Sequence, residues 1–382
     1  MFFERKHNGK TYPLLPFSQL VYDLTRWMPR LYRFSATFVV KGGAVEKEKI
    51  QNAIRTALSA HQVFCMRIDK HGKQYKAENK DILHGRYHDF RLCTKGEDLY
   101  ISSSLDRILG DGKSMLILSQ DICRAYNRES IEIDNYWDYL EYVEQQKQDT
   151  HYQNSKAWLE QQFADTAIPV RPDIDRYRLT TLLPPKAGVL ALDLTEYKER
   201  IMLLSEREHL SLDGLFSLCA ALAIADYCGT DTAALTWAYE GRETEQEERI
   251  FGSLHRDVPF VIKRTDNLNA LVRQARNQIR SGIAHSDYPY TLTAPYNTRW
   301  NYAVNVLHNE SPEMLVKDMP FNIEMLPQRP RRTAYALLDI EITDDEDYLG
   351  LTFRYSATHY KQQSILRFAE LIKKNLVKFI DK

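Results

Sequence analysis

The stretch LYISSSLDRILGDGKSMLILSQDICRAYN, Leu99 to Asn127, decides the fold. Leu99 to Ser104 reads as a strand whose serine hydroxyls at 102, 103 and 104 point alternately to the two faces. From Ser114 to Tyr126 the apolar residues Met115, Leu118, Ile122 and Tyr126 recur at helical spacing. Between them lies a tight turn, Asp106-Arg107-Ile108-Leu109-Gly110-Asp111-Gly112, which gathers three charges at the end of an apolar strand. Gly112 suits a turn where a side chain would obstruct the backbone. Gly110 to Ser114 looks like a phosphate loop only superficially, since the first glycine such a loop needs is replaced by Arg107. The serines lack a Gly-x-Ser-x-Gly elbow and are not assigned as nucleophiles.

Upstream, Pro16 to Trp27 reads as a short amphipathic helix with Ser18 as its cap, and Phe34 to Val40 as a strand broken by Gly42-Gly43. Val45 to His61 carries Ile50, Ala53, Ile54, Ala57 and Leu58 on one helical face, and Phe64 to Ile68 is a second strand. Aromatic-rich helices containing Trp137, Leu140, Trp158 and Phe163 follow the quoted stretch. Ala167 to Gly188, with four prolines and no sustained period, reads as a connection, so lobes of 1–170 and 171–382 are expected. Downstream come a strand from Val189, a helix capped by Thr195, and a helix from Leu212 to Tyr227 capped by Ser211 and stopped at Gly229. A buried strand follows from Ala233 to Tyr239. Strand and helix signals then alternate through Val258–Lys263, Leu268–Ile283, Tyr302–His308, Ala336–Thr343, Leu349–Tyr355 and a last helix ending at Ile380. The two halves share a rhythm of sheet and helix without a sequence repeat, which implies two similar α/β lobes.

The 382 residues suffice for two modest cores, and 51 basic against 52 acidic residues argue against a nucleic-acid or membrane-surface partner. The local exception is the basic run Pro327 to Arg332, a solvated loop or a contact for an acidic or phosphorylated group. Five cysteines without a Cys-x-x-Cys pair suggest neither a disulfide framework nor a zinc knuckle; most are expected in the core. No metal-binding or dinucleotide fingerprint is present, so no bound cofactor or metal is expected. The N-terminus lacks the apolar stretch of a signal peptide, and no segment approaches the roughly 20 apolar residues of a membrane span. A cytoplasmic monomer is the expectation.

The turn resembles the His-His-x-x-x-Asp-Gly motif of the non-ribosomal peptide synthetase condensation-domain superfamily and its chloramphenicol acetyltransferase-like relatives. Asp111-Gly112 stand in place, while the two histidine positions hold Asp106 and Arg107. The resemblance continues in order along the chain. Leu14 to Leu20 is similar to the opening motif, Ala60-His61-Gln62-Val63-Phe64 through Arg67 to the His-Pro-x-Leu-Arg segment, and Glu240-Gly241-Arg242 to the Gly-Arg motif. Phe251-Gly252 through Val258-Pro259-Phe260 and the closing unit from Leu337 to Tyr355 also match. The Asp-Phe-Gly-Trp motif of the acyltransferase branch is missing from Met325 to Tyr335, which speaks against acyl-CoA use.

The resemblance implies two chloramphenicol acetyltransferase-like α/β lobes in a V-shape around a central cleft or tunnel, and an ion pair between lobes from Asp111 to Arg242. It implies a carrier protein bearing a phosphopantetheine thioester as partner, with a tailoring or synthetase enzyme beside it. The family's histidine handles the proton of an attacking amine; Arg107 cannot, because its guanidinium donates hydrogen bonds but accepts none and stays protonated. Arg107 either binds an oxyanion, phosphate or carboxylate, or pairs with Asp106 or another acid at a disabled site. Catalytic weight at the altered motif therefore falls on Arg107 and Asp111, with Asp106, Gly112 and Arg242 as framework. His255, His285, His308 and His359 are the remaining candidates for a base. Two functions stay open: a condensation-like platform that recruits carrier protein or partner enzymes in natural-product biosynthesis, and an active, atypical acyltransferase forming an amide or ester.

Overall fold

The computed structural model describes residues 9–25, 32–41, 46–164, 167–176, 185–289, 303–308, 315–327, 334 and 336–381. The chain divides into two compact units. Met1–Lys147, Glu240–His255 and Glu310–Pro330 make the first; Gln148–Tyr239, Arg256–Asn309 and Arg331–Lys382 make the second. The division is thus not the single cut expected at 170/171. Thr150–Phe163 packs on Arg256–Lys263 within the second unit, and Glu240–His255 is held in the first by the ion pair of Arg242 with Asp111.

The first unit is built on an antiparallel sheet. Its strands, in spatial order, are β10 (Ile323–Met325), β1 (Arg33–Val40), β5 (Asp98–Asp106) and β4 (His88–Lys95). Leu99, Ile101 and Leu105 of β5 are buried while Ser102 between them is exposed, so the alternation read from the sequence is the alternation of the pleat. Strand β4 was not legible, because its second half exposes Arg91, Cys93, Thr94 and Lys95 and shows no apolar period. Helix α2 (Lys47–Ala60) buries Ile50, Ala53, Ile54, Ala57 and Leu58 and packs on α3 (Gly112–Tyr126). A small hairpin, β2 (Met66–Ile68) with β3 (Gln74–Lys76), and helices α1 (Pro16–Thr25), α4 (Tyr136–Gln146) and α8 (Glu245–Glu248) complete the unit. The strand expected from Phe64 starts at Met66, since Gln62–Cys65 forms a single 3₁₀ turn.

The second unit holds a mixed six-stranded sheet in the order β6 (Ala187–Asp193), β12 (Tyr348–Ser356), β11 (Leu338–Asp345), β9 (Asn305–His308), β7 (Thr232–Tyr239), β8 (Arg256–Lys263). Strand β9 is parallel to both its neighbours; the other pairings are antiparallel. Helix α7 (Leu212–Cys228) is apolar over most of its surface and buried among β7, α9 (Leu268–Ala284) and α10 (Gln362–Ile380). As expected, Ser211 caps it by accepting from the Gly214 N–H, and Gly229 ends it at φ 67. Helix α5 (Thr150–Phe163) also belongs here, and α6 (Lys198–Glu208) precedes α7 across a bend of 101°. No single helix among the described residues is long and apolar enough to cross a membrane.

Two expected caps act otherwise. Ser18 lies inside α1, where its buried hydroxyl donates to the Ile108 carbonyl at 2.9 Å, and Thr195 sits in a 3₁₀ turn ahead of α6. Of the five cysteines only Cys219 is buried, and Cys93 is exposed, because apolar sequence around a cysteine does not fix its side of a strand. Gly42-Gly43, Trp27, Tyr302, Pro184 and most of the basic run after Pro327 lie outside the described residues.

Candidate functional site

The turn quoted at the outset joins β5 to α3, and Asp111 is the N-cap of that helix. Its carboxylate accepts from the Ser114 N–H at 3.0 Å, and Ser114 Oγ in turn accepts from the Asp111 N–H at 3.3 Å, closing a capping box. Arg242 approaches with its side chain fully buried. Nη1 donates to Oδ2 at 3.0 Å and Nη2 to Oδ1 at 3.1 Å, a bidentate pair. The backbone N–H groups of Leu254 and His255 donate to Oδ2 at 2.9 and 3.1 Å. Burial alone would raise the Asp111 pKa; the Arg242 guanidinium, the nearby His255 and these hydrogen bonds outweigh it and hold the carboxyl below the ordinary carboxylate range.

Arg242 also donates to the carbonyls of Glu240, Ile250 and Gly252, and the Gly252 N–H donates to Ser114 Oγ at 3.1 Å. One carboxylate and one guanidinium therefore fix the start of α3 to the whole Glu240–His255 segment. The expected Asp111–Arg242 ion pair is present, but inside the first unit, where both residues belong. Every acceptor direction of Asp111 is occupied within the protein, so it has no lone pair to offer a substrate proton. These bonds give it a structural place at the start of α3.

Asp106 ends β5, opposite Arg33 of β1. One oxygen accepts from the Ile108 N–H at 3.2 Å and the other lies 3.8 Å from Arg33 Nε. Burial raises its pKa against those two contacts. Asp106 does not pair with Arg107.

Arg107 is anchored through its N–H to the Tyr32 carbonyl at 2.9 Å, and its guanidinium carbon lies 5.0 Å from the centre of the Phe17 ring and 5.1 Å from that of Phe34. Two aromatic rings thus hold the cation. Its Nε is buried without a hydrogen-bond partner, and among the described residues no carboxylate pairs with the guanidinium. Gly112 begins α3, and a Cβ there would meet nothing within 4 Å, so the expected steric reason for glycine is not what the structure shows; at Gly110 a Cβ would stand 2.7 Å from the Phe251 ring.

Of the four histidines considered as substitutes for the missing base, His285, His308 and His359 belong to the second unit. His255 lies in the first, its ring edge-on to Phe17 at 4.1 Å between centroids. A fifth histidine was quoted within a motif but given no role. His61 is buried between two acids, Nδ1 3.1 Å from Asp134 and Nε2 3.2 Å from Asp121. Burial lowers its pKa, but the two carboxylates raise it further and the net direction is upward. Asp134 accepts as well from the Gln62 and Phe251 N–H groups, so this cluster ties the end of α2 to the same Glu240–His255 segment. Ser114 could have been found from the Asp-x-x-Ser spacing of a capping box; Phe17, Phe34 and the His61 cluster could not, since sequence distance hides them.

Against this fold and site, the condensation-domain family model matches residues 95–382. The chain belongs to the condensation-domain family. The X-domain from teicoplanin biosynthesis is similar in structure with a TM-score of 0.79 and 16% identity, covering 99% of this chain and 97% of that one. The epimerization domain from the third module of tyrocidine synthetase B gives 0.75 and 15%, covering 97% and 96%. The condensation domain of the monacolin K polyketide synthase MokA gives 0.77 and 12%, covering 98% of each chain. No curated protein matches the sequence. The α/β architecture is that of condensation domains, and the likeness extends over the first 94 residues that the family model leaves out.

Proposed function

We propose that the chain is a recruiting platform of non-ribosomal peptide or related natural-product biosynthesis, binding a phosphopantetheine-loaded carrier protein or a partner enzyme in the cytoplasm rather than making amide bonds by histidine catalysis. The observation that carries this reading is the division of labour in the turn. Asp111 and Arg242 preserve the framework of the motif, while the position that would accept a proton holds Arg107, which cannot. An X-domain of similar fold, at a TM-score of 0.78, is known in complex with OxyB, which makes a partner enzyme a reasonable occupant here too. The second reading, an atypical acyltransferase, is favoured by one observation: among the described residues no carboxylate pairs with Arg107, whose half-buried guanidinium could steady an oxyanion while proximity lowers the barrier.

A condensation assay read by mass spectrometry separates the two. Acyl-loaded carrier protein and a panel of amines are offered to the native chain, Arg107→Ala and Arg107→His. The platform reading expects no product from the native chain and retained carrier-protein binding. Product from the native chain that disappears in Arg107→Ala overturns it.

A further inference from the structure

The geometry points to a binding site for an oxyanion that presents two oxygens side by side, centred on Arg107 and flanked by Phe17 and Phe34. The inference rests on the proposed reading of the turn as non-catalytic, and it names what the replaced position now recognises.

A guanidinium held against aromatic rings interacts through its faces, and its N–H donors project in the plane between them. The two rings stand at 5.0 and 5.1 Å from the guanidinium carbon, so lateral movement is restricted. The backbone is fixed by the Tyr32 carbonyl from one side and, one residue on, by Ser18 and Asp106, whose side chains bond the carbonyl and N–H of Ile108. The charge is preorganised, and among the described residues no carboxylate pairs with it. Asp106, the adjacent acid, is engaged with Ile108 and Arg33, and Asp111 is consumed by Arg242, Ser114, Leu254 and His255. Nε is closed off, but Arg107 as a whole is only half-buried, so an acceptor can reach the terminal N–H groups of its guanidinium. A guanidinium donor fork beside two apolar rings matches a carboxylate or a phosphate oxygen pair, and the rings favour an apolar group beside it. Two sources supply this chemistry: the free carboxylate of a peptide or acyl chain, and the phosphate of phosphopantetheine.

The test is binding of small probes to the full chain, followed through the Arg107 Nε–H resonance by NMR and by calorimetry. The probes are benzoate, benzamide as its neutral counterpart, inorganic phosphate and phosphopantetheine. Binding of benzoate but not benzamide, weakened at least tenfold in Arg107→Gln, assigns the site to carboxylates. Binding of phosphopantetheine and phosphate with the same dependence, and not of benzoate, assigns it to the phosphate. Arg107→Lys keeps the charge but not the fork and is expected to bind more weakly than native. Phe17→Leu tests the wall while preserving the apolar core. If no probe shifts the Arg107 resonance, or if Arg107→Gln binds as well as native, the inference is overturned. Carrier-protein capture measured on the same variants reports on the platform reading separately, since it can persist when the anion site is lost.

Discussion

The same piece of backbone occurs twice in this molecule, and the two copies solve one problem differently. In the first unit, β4, β5 and α3 run His88–Lys95, Asp98–Asp106 and Gly112–Tyr126; in the second, β11, β12 and α10 run Leu338–Asp345, Tyr348–Ser356 and Gln362–Ile380. Strand lengths, hairpin turn and the gap before the helix are equal. Each helix must satisfy its first N–H groups. In the first copy Asp111 does so from the N-cap, buried, and needs Arg242 to offset its charge. In the second the N-cap is Lys361, which offers no acceptor, and Asp175 serves from outside. Its exposed carboxylate accepts from the Lys361 N–H at 2.7 Å and from Ser364 Oγ at 2.8 Å. The contrast continues along the helices. Asp121 of α3 meets His61, while the same place on α10 is Leu371, packed against the apolar core. One copy is a polar knot that ties distant segments together, and the other is an apolar wedge with a borrowed cap.

The largest test of this contrast is Arg242→Ala, which leaves the Asp111 charge buried and unpaired. A loss of about 3–5 kcal/mol is expected in urea unfolding, with part recovered by Arg242→Met combined with Asp111→Leu. A cost below about 1 kcal/mol would show that the knot does not hold the unit together. Next, Ser114→Ala should cost about 1–2 kcal/mol, because Ser114 Oγ serves Asp111, Gly252 and Arg242 at once, whereas Ser364→Ala, losing one exposed bond, should stay within about 0.5 kcal/mol. Equal effects at the two serines would erase the distinction. Asp175→Ala is expected to cost about 0.5–1 kcal/mol, and Lys361→Asp in that background to restore it by capping α10 from within; no rescue would mean that the two turns are not interchangeable.

The smallest expected effect is a slope with pH. The folded-state pKa of His61 is raised above its unfolded value of about 6.5, so its protonated form contributes stability that is complete below that pH and is lost as pH rises through the folded value. Urea midpoints of the native chain should fall across that window. His61→Gln should flatten the slope there, and an unchanged slope would remove His61 from the account. The depressed Asp111 pKa acts at the other end, contributing stability above about pH 4 that is lost as pH falls through its folded value.

The quoted stretch carried most of what could be read locally. Strand β5, the turn, α3, and the Asp111-Gly112 pair were all visible in it, because pleat and helix periods and a capping residue are expressed within a few positions of one another. Strand β4 was hidden by its polar residues, and the true role of Ser18 by its bond to Ile108 in a segment far along the chain. The resemblance supplied Arg242 as the partner of Asp111, which no local pattern could have done.

By itself, the sequence determined the α/β class, the two-lobed rhythm and the absence of a proton acceptor at position 107, since these depend on residue type and local period. Tertiary structure alone decided that Glu240–His255 joins the first unit, that Asp111 is saturated, and that Phe17 and Phe34 lie beside Arg107, with which no carboxylate among the described residues pairs. The physical reason is that hydrogen-bond saturation and cation–π contact are set by distances between residues far apart in the chain, which only folding brings together.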